Sequence, residues 1–219
     1  MSLDQIEIPS YTRKQETFNA LSHAVGIVIA IFVLVFGIIK LATQQISLLY
    51  FFGLLIFSLS TTLVYLTSAT YHYLNKDNNY KKTLRVLDHC TIFLLIAGTY
   101  TPICFVLMSV HAVGLVMLIV EWSSALLGII LNALFFHQKA VNIISYILYL
   151  VMGWLALYSG AFLYMDVVCF LFILFGGITY TIGAILYAIG KKNMNFHSIF
   201  HVFVLASTIL QTIGVLMMF

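Results

Sequence analysis

The chain has 219 residues, of which 63% are hydrophobic and only 8% charged, with a formal net charge of +3. A soluble domain of this length would carry roughly a quarter charged residues, so the composition excludes a water-facing exterior and requires one that faces lipid. Mean hydropathy of +1.08 agrees, and no nucleic-acid partner is expected. The cysteines, Cys90, Cys104 and Cys169, are scattered through apolar stretches with no CxxC pair. That spacing gives no disulfide framework and reads as small buried core residues.

In chain order, residues 1–19 are polar, with Pro9 marking an irregular lead-in and Arg13 and Lys14 supplying charge. The first apolar run, about Ala20 to Ile39, exceeds the roughly 7–15 residues of a signal-peptide core, and similar runs follow, so it is not a cleavable leader. The next runs cover about Ile46 to Tyr73, Leu84 to Met108, Val110 to Phe136, Ala140 to Ser159, Phe162 to Gly190 and His197 to Phe219. Each is near or above the roughly 20 residues that cross the hydrocarbon as a helix. Pro102 predicts a kink or local break in the third. The most polar stretch, Asn75 to Lys82, separates the second run from the third. The expected fold is an all-α integral membrane protein, a seven-transmembrane helix bundle. Residues 1–19 form a short cytoplasmic segment and 20–219 a single transmembrane domain.

Orientation follows from the basic residues. With seven spans, the N-terminus and the loops after spans two, four and six share one side. They hold Arg13, Lys14, Lys76, Lys81, Lys82, Arg85, Lys139, Lys191 and Lys192, and only Lys40 falls opposite. This bias places the N-terminus in the cytoplasm and the C-terminus outside. Glu16, Asn19 and His23 then open span one, Ser68 and His72 close span two, Asp88 lies one turn into span three, and His197 and His201 open span seven. Four spans thus deliver polar side chains to one leaflet, where ionisable groups inside spans usually face the bundle interior and mark function.

His197 and His201 are four residues apart and share a helix face, with Cβ atoms roughly 5–6 Å apart; Ser68 and His72 have the same spacing. Three imidazoles with a fourth position left to water form the pattern of a catalytic zinc site, and His72, His197 and His201 make such a set. Asp88 would hold or deprotonate that water, and Ser68 would hydrogen-bond behind it. Plainer roles compete. The three histidines can sit at the interface, Asp88 can pair with Arg85, and Glu16, Asn19 and His23 can simply cap and anchor span one. His89 reads as a packing or hydrogen-bonding neighbour and His111 and His137 as solvated loop residues. Glu121, mid-span beside Trp122, reads as protonated or hydrogen-bonded within the bundle.

Taken together and in order, Glu16-x-x-Asn19-x-x-x-His23, Ser68-x-x-x-His72, Leu87-Asp88-His89, Ala97-Gly98-Thr99-Tyr100-Thr101-Pro102 and His197-x-x-x-His201 resemble the hemolysin III branch of the progestin and adipoQ receptor family. That family is related to the adiponectin receptors and, more distantly, to the alkaline ceramidases. The resemblance, which runs from about residue 16 onward, implies a seven-helix bundle with a cytoplasm-side zinc site. His72, His197 and His201 would be the ligands, Asp88 would contact the zinc water, and Ser68 would lie nearby. The short N-terminal segment and the lack of an extracellular domain favour a bacterial-type member, in the inner (plasma) membrane, over a hormone receptor.

Three functions follow as expectations. One is a zinc-dependent hydrolase of a membrane lipid amide or ester. Another is a non-enzymatic protein that senses or adjusts lipid state, with zinc as a structural clasp. The third is a haemolysin-type, membrane-perturbing role, which the lone mid-membrane charge of Glu121 serves poorly as the lining of an aqueous path. A retinal-type photoreceptor is disfavoured, because no lysine follows Lys192.

Overall fold

A computed structural model describes residues 3–76, 78, 80–190 and 193–219. Among these, the α-helices are α1 (Arg13–Ala42), α2 (Leu48–Tyr73), α3 (Lys81–Met108), α4 (Val113–Phe135), α5 (Lys139–Gly153), α6 (Leu155–Tyr158), α7 (Val167–Gly190) and α8 (Met194–Leu216). Short 3-10 turns cover Leu3–Gln5 and Ala161–Tyr164. Asp77 and Asn79 of the polar stretch, and Lys191 and Lys192 of the charge asymmetry, lie outside the described residues.

Six helices, α1 to α4, α7 and α8, are long and apolar enough to cross a membrane. Their outward faces carry large apolar side chains such as Leu21, Val28, Ile119, Leu126 and Phe175. An apolar belt on this scale is far more than a water-soluble monomer exposes. Neighbour packing runs α8, α1, α2, α3, α4, α5 and α7, and α7 returns to α8, so these helices close a ring. α3 is the most deeply buried of the six long helices and also touches α8 across the bundle. It runs without interruption through Pro102, so the local break anticipated there does not end the helix.

The fifth apolar run differs most from a single span. α5 has 15 residues, or about 22 Å of helix, short of the roughly 30 Å hydrocarbon. The break at Gly153 and Trp154 has a visible cause. The Tyr100 hydroxyl donates to the Gly153 carbonyl at 2.8 Å and accepts from the Ala156 amide at 3.4 Å. A side chain from α3 thus serves backbone groups where the helical ladder stops.

Polar residues at the helix starts set the register. Thr12 caps α1 through a reciprocal box with Gln15: Thr12 Oγ1 accepts from the Gln15 amide at 3.3 Å, and Gln15 Oε1 accepts from the Thr12 amide at 2.9 Å. Gln15 Nε2 then donates to Asn195 Oδ1 at 2.8 Å, fastening the start of α1 to the start of α8. Asn193 caps α8 through its side chain. These contacts fix which faces of α1 and α8 turn inward.

α2 and α3 approach closely at Gly98, where an added Cβ would lie 2.6 Å from Ser60 Cβ. Small residues at such crossings let helix backbones meet. Gly98→Val is therefore expected to destabilise the bundle by about 1–3 kcal/mol, read as a lower melting temperature in detergent. Ser60→Gly in the same chain should recover part of the loss, and no change in Gly98→Val would mean that the helices can separate there without cost.

Candidate metal centre

The polar groups delivered by separate helices meet at one end of the bundle. His72 near the end of α2 and His197 and His201 in the first two turns of α8 are all buried, and each offers a ring nitrogen within 4.8 Å of the others. The Nε2 atoms of His197 and His201 are 3.1 Å apart. Two nitrogens bound to one tetrahedral ion at about 2.0–2.1 Å would sit about 3.3 Å apart, so the pair is already at ligand spacing. His72 Nε2 is buried with no hydrogen-bond partner among the described residues. A buried nitrogen without a partner is costly, and an ion shared with the other two imidazoles would satisfy it. The donor set fits a metal ion of the zinc type, though three imidazoles alone do not fix which metal it is.

The other side of His72 is occupied. Its Nδ1 lies 2.6 Å from Glu16 Oε2, and the second oxygen of Glu16 accepts from Lys81 Nζ at 2.6 Å. These are the ion pairs found among the described residues. A carboxylate on the far nitrogen of a ligand histidine fixes the ring and its tautomer. Glu16, in the first turn of α1, therefore stands directly behind His72.

Asp88, on α3, is half-buried, lines the same cavity as Ser68, and lies near enough to Ser68 and His72 for both to act on its carboxylate. No ion pair joins it to Arg85 among the described residues, although the Arg85 charge lies close enough to act on the carboxylate. The His23 ring packs at 3.8 Å between centroids on His201 and at 5.1 Å, edge-on, against Tyr65. It supports a candidate ligand and is not one of the three converging nitrogens. Asn19, one turn earlier, is fully buried, and its amide has no partner among the described residues.

His89 is not one of the three converging imidazoles; its Nε2 lies 3.3 Å from the Tyr187 hydroxyl and its ring packs against Phe136. His111 stacks on Tyr164, and His137 is exposed. Glu121 is fully buried, and neither carboxylate oxygen has a hydrogen-bond partner among the described residues, contrary to the hydrogen-bonded alternative. Cys90, Cys104 and Cys169 are free and buried, as their spacing suggested.

Two participants had no clear signal in the sequence. The Tyr11 ring lies 5.0 Å from His197 and 5.4 Å from His72 and roofs the cluster. Burial pushes its phenol above the ordinary tyrosine range, so it stays a neutral hydroxyl. The Thr12-x-x-Gln15 capping box beside it was legible and would have placed Tyr11 at the helix entry. Lys81 looked like any other basic residue of the polar stretch, and nothing in its neighbours marked it as buried.

From this centre a cavity of about 350 Å³ runs into the bundle. Ser68, Asp88, His197 and His201 line it at the cluster, and Thr99 and Gln211 line it deeper. Gln211 lies ten residues beyond His201 on α8, or roughly 15 Å along the axis. Between those ends the walls are largely apolar and aromatic.

The model of proteins described as haemolysin-III related matches residues 11–212 of the chain. The chain belongs to the haemolysin-III family. It is 37% identical over 201 residues to a hemolysin-3 homolog of Bacillus subtilis, covering 90% of this chain and 91% of that protein. It is 34% identical over 206 residues to hemolysin-3 of Bacillus cereus, covering 93% and 91%. No solved structure matches the chain. This haemolysin-III family member is thus an integral membrane protein with a buried three-histidine cluster that could hold a metal ion.

Proposed function

We propose that the chain is a zinc-dependent intramembrane hydrolase of a lipid amide or ester, entered from the cytoplasmic leaflet. The observation that carries this reading is three converging imidazoles beside a carboxylate, at the end of a largely apolar cavity. Zn²⁺ held by His72, His197 and His201 would supply Lewis-acid polarisation and make water more acidic. The chain's own groups do the remaining work. Asp88 takes a proton from a water molecule at its carboxylate, and Ser68 orients that carboxylate. The cavity, within the roughly 300–1,000 Å³ usual for small-molecule sites, takes the apolar chain of the substrate and keeps bulk water out.

The same reading counts seven spans, with α5 and α6 together forming the fifth, the N-terminus cytoplasmic and the C-terminus outside. Residues 20–219 then form one domain behind a short N-terminal segment, in the inner membrane of a bacterium. The charge bias supports it. A reporter fused after Phe219 should read as extracytoplasmic and one inserted near Asn78 as cytoplasmic. Both on one side would overturn the span count.

A metal clasp without turnover is the second reading. The observation that favours it is that the cluster and its supports join α1, α2 and α8, which a structural ion would hold together. Purified protein incubated with a panel of ceramides and phospholipids, with and without a chelator, separates the two. Release of fatty acid that stops on chelation supports the hydrolase. Intact lipids throughout, with zinc bound and chelation lowering only the melting temperature, support the clasp. Red-cell lysis that persists in His201→Ala would point instead to the membrane perturbation suggested by the relatives' names.

A further inference from the structure

Lys81 is the first residue of α3, at the polar edge of the bundle, yet its side chain is fully buried. Lysine is almost never fully buried unless paired, because its ammonium is compact and strongly hydrated. Here water is replaced by specific partners. Nζ donates to Glu16 Oε1 at 2.6 Å and to the Leu74 carbonyl at 2.7 Å, and it lies 5.1 Å from the centre of the Tyr71 ring. An ammonium has three donors and no acceptor, so two are spent on oxygens while the aromatic face shields the group. The lysine is held against Glu16 from several directions.

Glu16 passes this constraint on. With Oε1 fixed by Lys81, Oε2 is left for His72 Nδ1 at 2.6 Å. A carboxylate only accepts, so Nδ1 is the donor and carries the hydrogen. The lone pair of His72 is then on Nε2, which is buried without a hydrogen-bond partner among the described residues and so is the nitrogen left to join those of His197 and His201. Three helices contribute one residue each: Lys81 from α3, Glu16 from α1 and His72 from α2. Neither Lys81 nor Glu16 belongs to the group of converging ligand nitrogens.

The geometry points to Lys81 and Glu16 as a positioning pair for the metal ligand His72, with Lys81 aligning Glu16 and Glu16 setting the tautomer and direction of the imidazole. This rests on the metal-site reading above and deepens it. It assigns control of metal affinity to a lysine at the mouth of the bundle whose own atoms touch no ligand nitrogen. A plain fastening of α1 to α3 would use the same ion pair, but it would act on the stability of the metal-free chain and leave metal affinity alone.

The test measures zinc dissociation constants for the full-length protein in detergent, by competition with a chromophoric chelator at fixed pH. The melting temperature of the chelator-treated protein is measured in parallel. Lys81→Met, which keeps most of the apolar stem, is expected to weaken zinc binding by roughly 10–100-fold, the usual cost of losing a partner behind a ligand. Glu16→Ala should weaken it at least as much, while Glu16→Gln, which keeps an acceptor for His72 Nδ1, should recover part of the affinity. In a His72→Ala background, Lys81→Met should cost no further affinity, because its effect passes through that imidazole. Equal weakening with and without His72, or an unchanged constant with only a lower melting temperature, overturns the relay and leaves a fastening role. Should Lys81→Met fail to accumulate as folded protein, the Glu16→Ala and Glu16→Gln comparison carries the same decision. A wild type that binds no zinc overturns the metal-site reading and the relay with it. Zinc in the wild type with an unchanged constant in Lys81→Met overturns the relay alone.

Discussion

His201→Ala is expected to lose stoichiometric zinc, from about one ion per chain in the wild type to a trace retained only weakly. His201 supplies one of three converging nitrogens, its Nε2 is 3.1 Å from that of His197, and its ring is buried against His23. With two imidazoles left, the loss of affinity should exceed the roughly 10–100-fold that follows removal of a supporting partner. Metal binding contributes to folding free energy, and a ligand that binds only the native state raises its apparent stability. Chelation should therefore lower the melting temperature of the wild type but leave that of His201→Ala unchanged. Elemental analysis read together with the two melting curves is the measurement. Zinc content equal to wild type in His201→Ala, and likewise in His197→Ala, would remove the metal centre from the protein.

The helical membrane architecture was legible because the apolar runs are long and polar turns separate them. Helix limits were less legible. α1 begins at Arg13 and α3 at Lys81, because helices persist into polar flanks where caps such as Thr12 and interhelical hydrogen bonds support them. The break between α5 and α6 was invisible because its cause is tertiary: Tyr100, more than fifty residues earlier, holds Gly153 and Ala156. The convergence of His72, His197 and His201 could be anticipated from i,i+4 spacing and shared depth, since both are properties of single helices. Lys81 could not be. Its burial depends on the Leu74 carbonyl and the Glu16 carboxylate arriving from separate parts of the chain, and sequence spacing carries no trace of that meeting. Asp88 was ambiguous for a related reason: a carboxylate one turn from Arg85 reads equally as an ion pair, until the fold turns it toward Ser68 and His72.

Asp88→Asn is the change that separates hydrolysis from clasping. Asparagine nearly matches aspartate in size and keeps an oxygen that can accept from Ser68, so the packing between α2 and α3 should survive. Asp88 is not one of the three converging nitrogen ligands, so zinc content and melting temperature should stay near those of the wild type. What is removed is the basic oxygen that accepts a proton from water. A positioned general base is typically worth about 10²–10⁴-fold, and lipid hydrolysis by Asp88→Asn should fall by a factor in that range. Ser68→Ala should fall less, since it leaves the carboxylate in place and removes only a neighbouring hydroxyl. In a clasp there is no rate to lose, and Asp88→Asn would have an effect only through lower stability. Wild-type turnover that persists at full rate in a folded, zinc-loaded Asp88→Asn protein would take proton transfer away from Asp88. Loss of turnover together with zinc would instead make Asp88 part of what holds the ion. Only loss of turnover with zinc and stability retained identifies the carboxylate as the base.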